Sequence, residues 1–260
     1  MHQVDVTPKV WLHLLHIREG HPCSCAQDWS AGEAMALQLY APVARRDKGD
    51  MILAQIGQSL DGRVATVSGD AKDVSGPDGL AHLHRLRALV DAVVIGVKTA
   101  LHDTPQLTVR LCQGANPARV VIDPSGRLPD NAPMLRDDGA RRIVIQGVTR
   151  PRQKGVEVIQ MKCSAGVIDP HAIRDALKAD GIGNLLVEGG SITISKFLEA
   201  NLLSRMHVAV APLLIGDGPQ GLTVPNPPQQ LSQAVRPDTR AFSLGSDVLF
   251  DCAISSREGV

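Results

Sequence analysis

The sequence predicts an α/β fold with a mostly parallel sheet and an antiparallel edge. Three observations carry that expectation. First, Leu80, Leu83, Leu86 and Leu89–Val90 recur at helical spacing over Asp78–Val90, and the continuous apolar run Ala92–Ile95, closed by Gly96, follows directly. A short run of that kind reads as a strand buried on both faces, as in a parallel sheet. Second, similar runs return along the chain and alternate with helical stretches, the pattern of repeated strand–helix units. Third, aromatic residues make up only 2% against 43% hydrophobic, so the core is built from Val, Ile, Leu and Ala, which suits a parallel sheet.

The elements follow in order. Residues Met1–Asp50 differ from the rest and read as an N-terminal appendage or arm: Val10–Ile17 is a short apolar run, Ala31–Leu39 a short helix, and Arg45–Asp50 a charged linker. The main body, residues 51–260, opens with a strand at Met51–Gly57 and a turn at Ser59–Gly62, where Asp-Gly supplies the turn chemistry. Arg63–Val67 continues extended, and Ser68–Asp70 is loop. The helix over Asp78–Val90 and the strand over Ala92–Ile95 come next, then a polar loop containing Lys98, Thr99, His102, Asp103, Thr104 and Arg110. Strands are expected at Arg119–Ile122, Arg142–Ile145 and Val156–Gln160. Asp169-Pro170 has the form of an N-cap with proline in the first turn, opening a helix to about Ala179. Asn184–Val187 is a buried strand that runs into Glu188-Gly189-Gly190-Ser191-Ile192-Thr193 and a helix to about Ala200. A strand at His207–Val210, an irregular stretch at Pro225–Pro228, and a hairpin of Ala241–Leu244 with Asp247–Ile254 complete the chain.

Composition excludes several function classes. Lys plus Arg and Asp plus Glu balance at 27 each in 260 residues, so no global field favours nucleic acid or a membrane surface, and an anionic ligand must be held by a local cluster. Few aromatics means few stacking platforms for single strands. No apolar run approaches a membrane span and no signal peptide is evident, so the expectation is a cytoplasmic protein with reduced thiols. The five cysteines are scattered and odd in number, which argues against a disulfide framework. His16, His21, Cys23 and Cys25 offer soft donors, but C-x-C with no second pair at finger spacing is a weak zinc signal, so a metal site here is the minority reading and the expectation is none.

Two constellations carry chemistry. Polar residues just past the C-terminal end of a buried strand stand where ligands bind in open α/β sheets; here they include Lys98, Thr99, Asp103 and Arg110, with Arg87 at the end of the preceding helix. Arginine offers a planar fork suited to phosphate, although such residues also form ordinary surface ion pairs. In the second, Val187–Thr193, a strand ends in the carboxylate of Glu188, two glycines allow a tight turn, and a helix N-terminus follows with free N–H groups and the hydroxyls of Ser191 and Thr193. That is an anion site fit for a pyrophosphate, and equally a plain strand–helix turn with Ser191 as its cap. There is no P-loop, no G-x-G-x-x-G fingerprint and no G-x-S-x-G elbow.

The ordered series QSLDGR (58–63), SGD (68–70), HRLRALVDAVVIGVKT (84–99), LHDTPQLTVR (101–110), RVVIDPSGR (119–127), VEGG (187–190) and APLLIG (211–216) resembles the RibD-type reductase domain of riboflavin biosynthesis. The resemblance implies a three-layer, dihydrofolate-reductase-like fold and a homodimer. It implies NADPH-dependent reduction of the ribosyl group of 5-amino-6-(5-phosphoribosylamino)uracil, or a close relative, with hydride arriving at the sugar C1′. Carried over by motif position, Arg87, Leu107, Arg110 and Glu188 contact the substrate. Gln58, Thr99, Asp103, Pro124, Ser125, Gly190, Ser191, Ile192, Thr193 and Ile194 hold the cofactor. Arg127 or Ser125 meets the adenosine 2′-phosphate, and either Asp103 or Glu188 supplies the proton.

The chain departs from the family pattern at several points. Asp103-Thr104 stands where two aspartates are frequent, Ala71–Ser75 replaces a segment with a substrate-contacting hydroxyl, Gln55 replaces a lysine, and Ser204-Arg205 replaces an acidic pair. Residues 1–50 contain no zinc-deaminase signature. Two other readings follow from these departures: a related reductase acting on another pyrimidine or pterin-like compound, and a catalytically silent NADPH-binding protein.

Overall fold

The computed structural model describes residues 2–22, 28–224 and 227–254; Cys23 and Cys25, and Pro225 of the irregular stretch, lie outside them. Strand β2 (Ile52–Ser59) opens the main body. Helix α3 (Pro77–Leu89) and strand β3 (Ala92–Gly96) follow as the spacing predicts. The expected loop after β3 begins instead as a short helix, α4 (Val97–His102). Val97 and Ala100, three residues apart, are buried while Thr99 and His102 turn to the open side; that pair of apolar positions closes the turn. Strands β4 (Ala118–Asp123), β5 (Arg142–Gln146) and β6 (Glu157–Gln160) come next, then a small hairpin of β7 (Cys163–Ser164) and β8 (Val167–Ile168). Helix α5 (Pro170–Ala179) is capped by the Asp169 side chain, which accepts from His171 N–H. Strand β9 (Leu185–Glu188), helix α6 (Ser191–Glu199), strand β10 (Arg205–Ala211) and the hairpin β11 (Asp238–Leu244) with β12 (Asp247–Ala253) complete the body. Arg63–Val67 does not continue as a strand; it makes one bridge, Arg63 to Gln220.

Before the main body, β1 (His2–Gln3), α1 (Pro8–Arg18) and α2 (Ala31–Ala44) fold onto it. Ser30 and Glu33 cap α2 reciprocally, the capping-box device. Strand β1 pairs with β11, and Leu14, Leu39, Tyr40 and Val43 enter the same core as Leu86 and Leu89 of α3.

The main sheet has the order β1-β11-β12-β10-β2-β9-β3-β4-β5-β6. Every pairing is parallel except β12 with β10 and with β11, which form the expected antiparallel edge. Alternation along the strands gives two cores. Leu53, Val93, Val121, Val144 and Leu186 face α1–α3, and Ile52, Val94, Val120, Ile143 and Val187 face α5 and α6. The result is three layers, helices–sheet–helices.

Candidate active site

Two clefts meet at the C-terminal edge of the central strands. The larger, about 830 Å³, lies on the α3 side. Its walls include Gln55 and Gly57 of β2, Ser75, Gly79, Leu83 and Arg87 of the α3 region, His102 at the end of α4 and Asp103 after it, Leu107, and Glu188. The smaller, about 230 Å³, lies on the α6 side and is lined by Gly96, Ile122, Pro124, Arg127, Ile192, Thr193 and Phe197 among others. Lys98, Thr99, Gly190 and Ser191 line both. This junction is where carbonyl-end loops of neighbouring parallel strands open outward, the usual ligand position in such sheets.

Local backbone explains the junction. Gly189 and Gly190 adopt φ of 55° and 58°, a region that costs residues with a Cβ. A Cβ on Gly190 would also stand 2.5 Å from Thr99 Oγ1, so glycine lets α4 and the start of α6 approach closely. Gly190, not Ser191, is the N-cap of α6, and no side chain among the described residues caps that helix. Its first N–H groups therefore stay available at the edge of the smaller cleft.

In the larger cleft, Arg87 and Glu188 form one unit. Arg87 Nε and Nη2 each donate to a Glu188 carboxylate oxygen at 2.7 Å, and Nη1 donates to Thr108 O at 3.2 Å. Both residues are buried. Burial alone would lower the guanidinium pKa, but the charge and the hydrogen bonds of Glu188 together outweigh it and hold Arg87 above its ordinary value. This revises two expectations. The Arg87 fork is committed to Glu188 and Thr108, which removes it as a simple phosphate clamp. Glu188 accepts two charge-assisted bonds as a carboxylate, which sets it against the part of proton donor. Asp103 is different. It is exposed, lines the cleft, and its Oδ1 sits 2.7 Å from His102 Nδ1.

The other expected residues divide. Leu107 lines the larger cleft in a left-handed conformation, φ 57°. Arg110 lies on the same loop but not on the cleft wall; its Nη1 donates to Gln106 and Thr108 side chains, and no carboxylate partners it among the described residues. Thr99, Pro124, Gly190, Ser191, Ile192 and Thr193 line the smaller cleft. Ser125, Ile194 and Gln58 do not. Ser125 is exposed beyond it, Ile194 is wholly buried in the core, and the Gln58 side chain, though on the α6 side of β2 like Ile56, lies against Gly221. Asp123 also turns away: it is buried, accepts from Arg127 and Leu128 N–H, and pairs with Arg152. It thereby shapes the loop that brings Pro124 and Arg127 to the cleft.

Two residues went unassigned by motif reasoning. Gln55 is 7% exposed, lines the larger cleft beside Glu188, and its amide has no protein partner among the described residues. The replaced lysine was its signal in the sequence. Lys98 lines both clefts, and among the described residues no carboxylate partners it. Among the described residues no group of three His, Cys, Asp or Glu side chains could hold a metal, and no helix is long and apolar enough to cross a membrane.

Comparison with known proteins agrees with the architecture. The chain is 29% identical over 215 residues to 2,5-diamino-6-ribosylamino-4(3H)-pyrimidinone 5′-phosphate reductase of Methanothermobacter thermautotrophicus, covering 78% of this chain and 97% of that one. It is 31% identical over 224 residues to riboflavin biosynthesis protein RibD of Actinobacillus pleuropneumoniae, covering 80% of this chain but only 58% of that longer one. In structure it is similar to the diaminohydroxyphosphoribosylaminopyrimidine deaminase/5-amino-6-(5-phosphoribosylamino)uracil reductase of Thermotoga maritima, with a TM-score of 0.68 at 26% identity over 85% of this chain and 62% of that one. Residues 50–250, which carry both clefts, match the model of the RibD C-terminal domain, and the chain therefore belongs to that family.

Proposed function

We propose that the protein is an NADPH-dependent reductase of riboflavin biosynthesis, acting in the cytoplasm on the ribosyl group of 5-amino-6-(5-phosphoribosylamino)uracil or a close relative. The observation that carries this reading is the meeting of the two clefts at Lys98, Thr99, Gly190 and Ser191. A substrate in the larger cleft and a nicotinamide reached from the smaller one share that edge.

The residues of the smaller cleft fit the cofactor. The uncapped N-terminus of α6 suits a pyrophosphate, the glycine turn leaves room for it, and Arg127, with no carboxylate partner among the described residues, suits a 2′-phosphate. When bound, the nicotinamide supplies the hydride. On the substrate side, the Arg87–Glu188 unit and the free Gln55 amide form a polar floor for the ring and sugar hydroxyls. Arg110 is the guanidinium available to the substrate phosphate, in place of Arg87. Asp103, beside His102, is the group that moves the proton at the open mouth, in place of Glu188. The same chemistry accommodates the diaminopyrimidinone analogue and other phosphorylated aminopyrimidines.

The protein also assembles as a homodimer in this reading. Val208, Val210, Val248 and Phe250 form an apolar patch on the α6 side of β10 and β12; Phe250 is 38% exposed. Sedimentation of the wild type and of Phe250→Glu tests it: a monomeric wild type excludes the dimer.

The experiment for the main reading is NADPH consumption with the uracil and diaminopyrimidinone substrates in parallel, beside NADPH binding alone. Turnover of either establishes the reductase and selects its substrate. Tight binding of NADPH without turnover of either would overturn the assignment and favour a silent NADPH-binding protein.

A further inference from the structure

The loop from Thr104 to Arg110 gives Pro105 and Leu107 to the wall of the larger cleft, and it is held in a costly shape. Thr104 and Leu107 both have positive φ, 41° and 57°, a region that residues with a Cβ rarely adopt. Such a conformation persists only where surrounding contacts over-determine it. Here three side chains pin three consecutive residues. Arg87 Nη1 donates to Thr108 O, Val109 N–H donates to Asn116 Oδ1 at 2.7 Å, and Arg110 N–H donates to His84 Nδ1 at 2.9 Å.

His84 is the contact that ties the loop to α3 from the Arg110 end. It lies one turn before Arg87 on that helix, so one rigid element holds both ends of the Thr108–Arg110 segment. The ring is 4% exposed and outside the cleft lining. Accepting at Nδ1 requires the neutral tautomer with its proton on Nε2. Burial first, then the charges of Arg87 and Arg110, push its pKa down to about 4, so the acceptor is permanent at neutral pH.

We infer that His84 is a positioning residue for the reductase reaction: by accepting from the Arg110 backbone it fixes the loop that places Leu107 on the wall of the substrate cleft and carries the Arg110 guanidinium. It touches neither substrate nor cofactor. This inference rests on the proposed substrate assignment and adds to it a role for a residue outside the cleft.

The test compares His84→Leu with His84→Asn, whose side-chain oxygen replaces the Nδ1 acceptor. Four quantities are read: KM and kcat for the substrate, Kd for NADPH, and amide hydrogen exchange of the 104–112 segment without ligands. The expected result for His84→Leu is a rise in KM of about tenfold, the equivalent of one lost hydrogen bond to a buried donor. Its kcat changes less than KM, its NADPH affinity is unchanged, and exchange at Arg110 is faster. His84→Asn recovers most of KM and of the protection. An unchanged KM in His84→Leu, an equal loss in the Leu and Asn variants, or a parallel loss of NADPH affinity would overturn the inference. The exchange measurement separates the two readings. If the wild type turns over no phosphoribosylaminopyrimidine, the substrate assignment fails. Unchanged Arg110 protection in His84→Leu removes the positioning role whatever the substrate.

Discussion

The two faces of the central sheet are built from the same strands and yet differ in kind. Toward α5 and α6 the strands present Ile52, Val94, Val120, Ile143 and Val187, an apolar surface closed by Phe197 and Ile173. Toward α1–α3 the same strands present Gln55, Asp123, Gln146, Glu188, His207 and Asp251, all buried, between the aliphatic residues. Burying such groups costs free energy unless each finds a partner. The α3 side provides partners in networks: Arg87 with Glu188, Arg152 with Asp123 and Gln146, and a chain running from α2 through α3 to the sheet edge. In that chain Tyr40 Oη stands 2.8 Å from His82 Nδ1, His82 Nε2 stands 3.2 Å from His207 Nδ1, and His207 Nε2 stands 3.2 Å from Asp251, which Arg205 also holds. One proton assignment orders the chain: Tyr40 donates to a neutral His82, which donates to a neutral His207, whose Nε2–H faces the Asp251 carboxylate. The comparison teaches that the strand side chains facing α5 and α6 are scaffold, leaving the smaller cleft to loops and the α6 N-terminus, whereas those facing α1–α3 combine scaffold and polar chemistry in mutually dependent groups.

The sharpest way to break this contrast is Glu188→Gln. It leaves Arg87 buried without its counter-charge, which costs about 3–5 kcal/mol of stability. Substrate reduction is expected to fall by far more than NADPH affinity, as kinetics beside fluorescence binding would report; equal loss of both would contradict the division between clefts. Phe197→Ala attacks the apolar face. Phe197 is 1% exposed, so the loss is about 3–4 kcal/mol, measured by urea unfolding. Because no titratable group is involved, its stability–pH profile is expected to parallel the wild type.

Acid separates the faces next. Burial lowers the pKa of His82 and of His207, and the Asp251 charge only partly opposes it. The unfolded chain therefore binds protons that the folded chain refuses. Stability is full above the ordinary histidine pKa of about 6.5 and falls as pH drops below it. His84 adds to the same loss between that value and about 4. Thermal unfolding across pH 7.5 to 5 is expected to show a falling Tm; a flat profile would mean that these rings are not buried neutral. The smallest effect is that of Tyr40→Phe, which removes the first link of the chain. The expected loss is about 1 kcal/mol, together with weaker docking of α2, read as faster exchange in Ala31–Ala44 without change in KM.

Much of this was legible in the sequence, and the legible part is local. The leucine spacing of α3, the apolar run of β3, the Asp169-Pro170 start of α5 and the 241–254 hairpin each state their element within a few residues. The cleft residues Thr99, Asp103, Leu107, Glu188 and Gly190–Thr193 were legible through motifs that keep their order. Gln58, Ser125 and Ile194 do not line the smaller cleft because a motif gives position along the chain only: one step along α6 turns Ile194 into the core, and Gln58 stands on another strand, against Gly221. Helix α4 was missed because two buried apolar residues in six are too few to stand out from a polar stretch.

The sequence by itself determined the alternation of strands and helices, the parallel character of the sheet and the family. These depend on periodicity and order, which are properties of neighbours along the chain. Only the tertiary structure decided that Arg87 belongs to Glu188, 101 residues away, rather than to phosphate, that Tyr40 and Asp251 end one buried chain, and that His84 holds Arg110. The physical reason is burial. A guanidinium or imidazole is free in water to meet any partner, and the fold selects one by removing the water and leaving a single acceptor within reach.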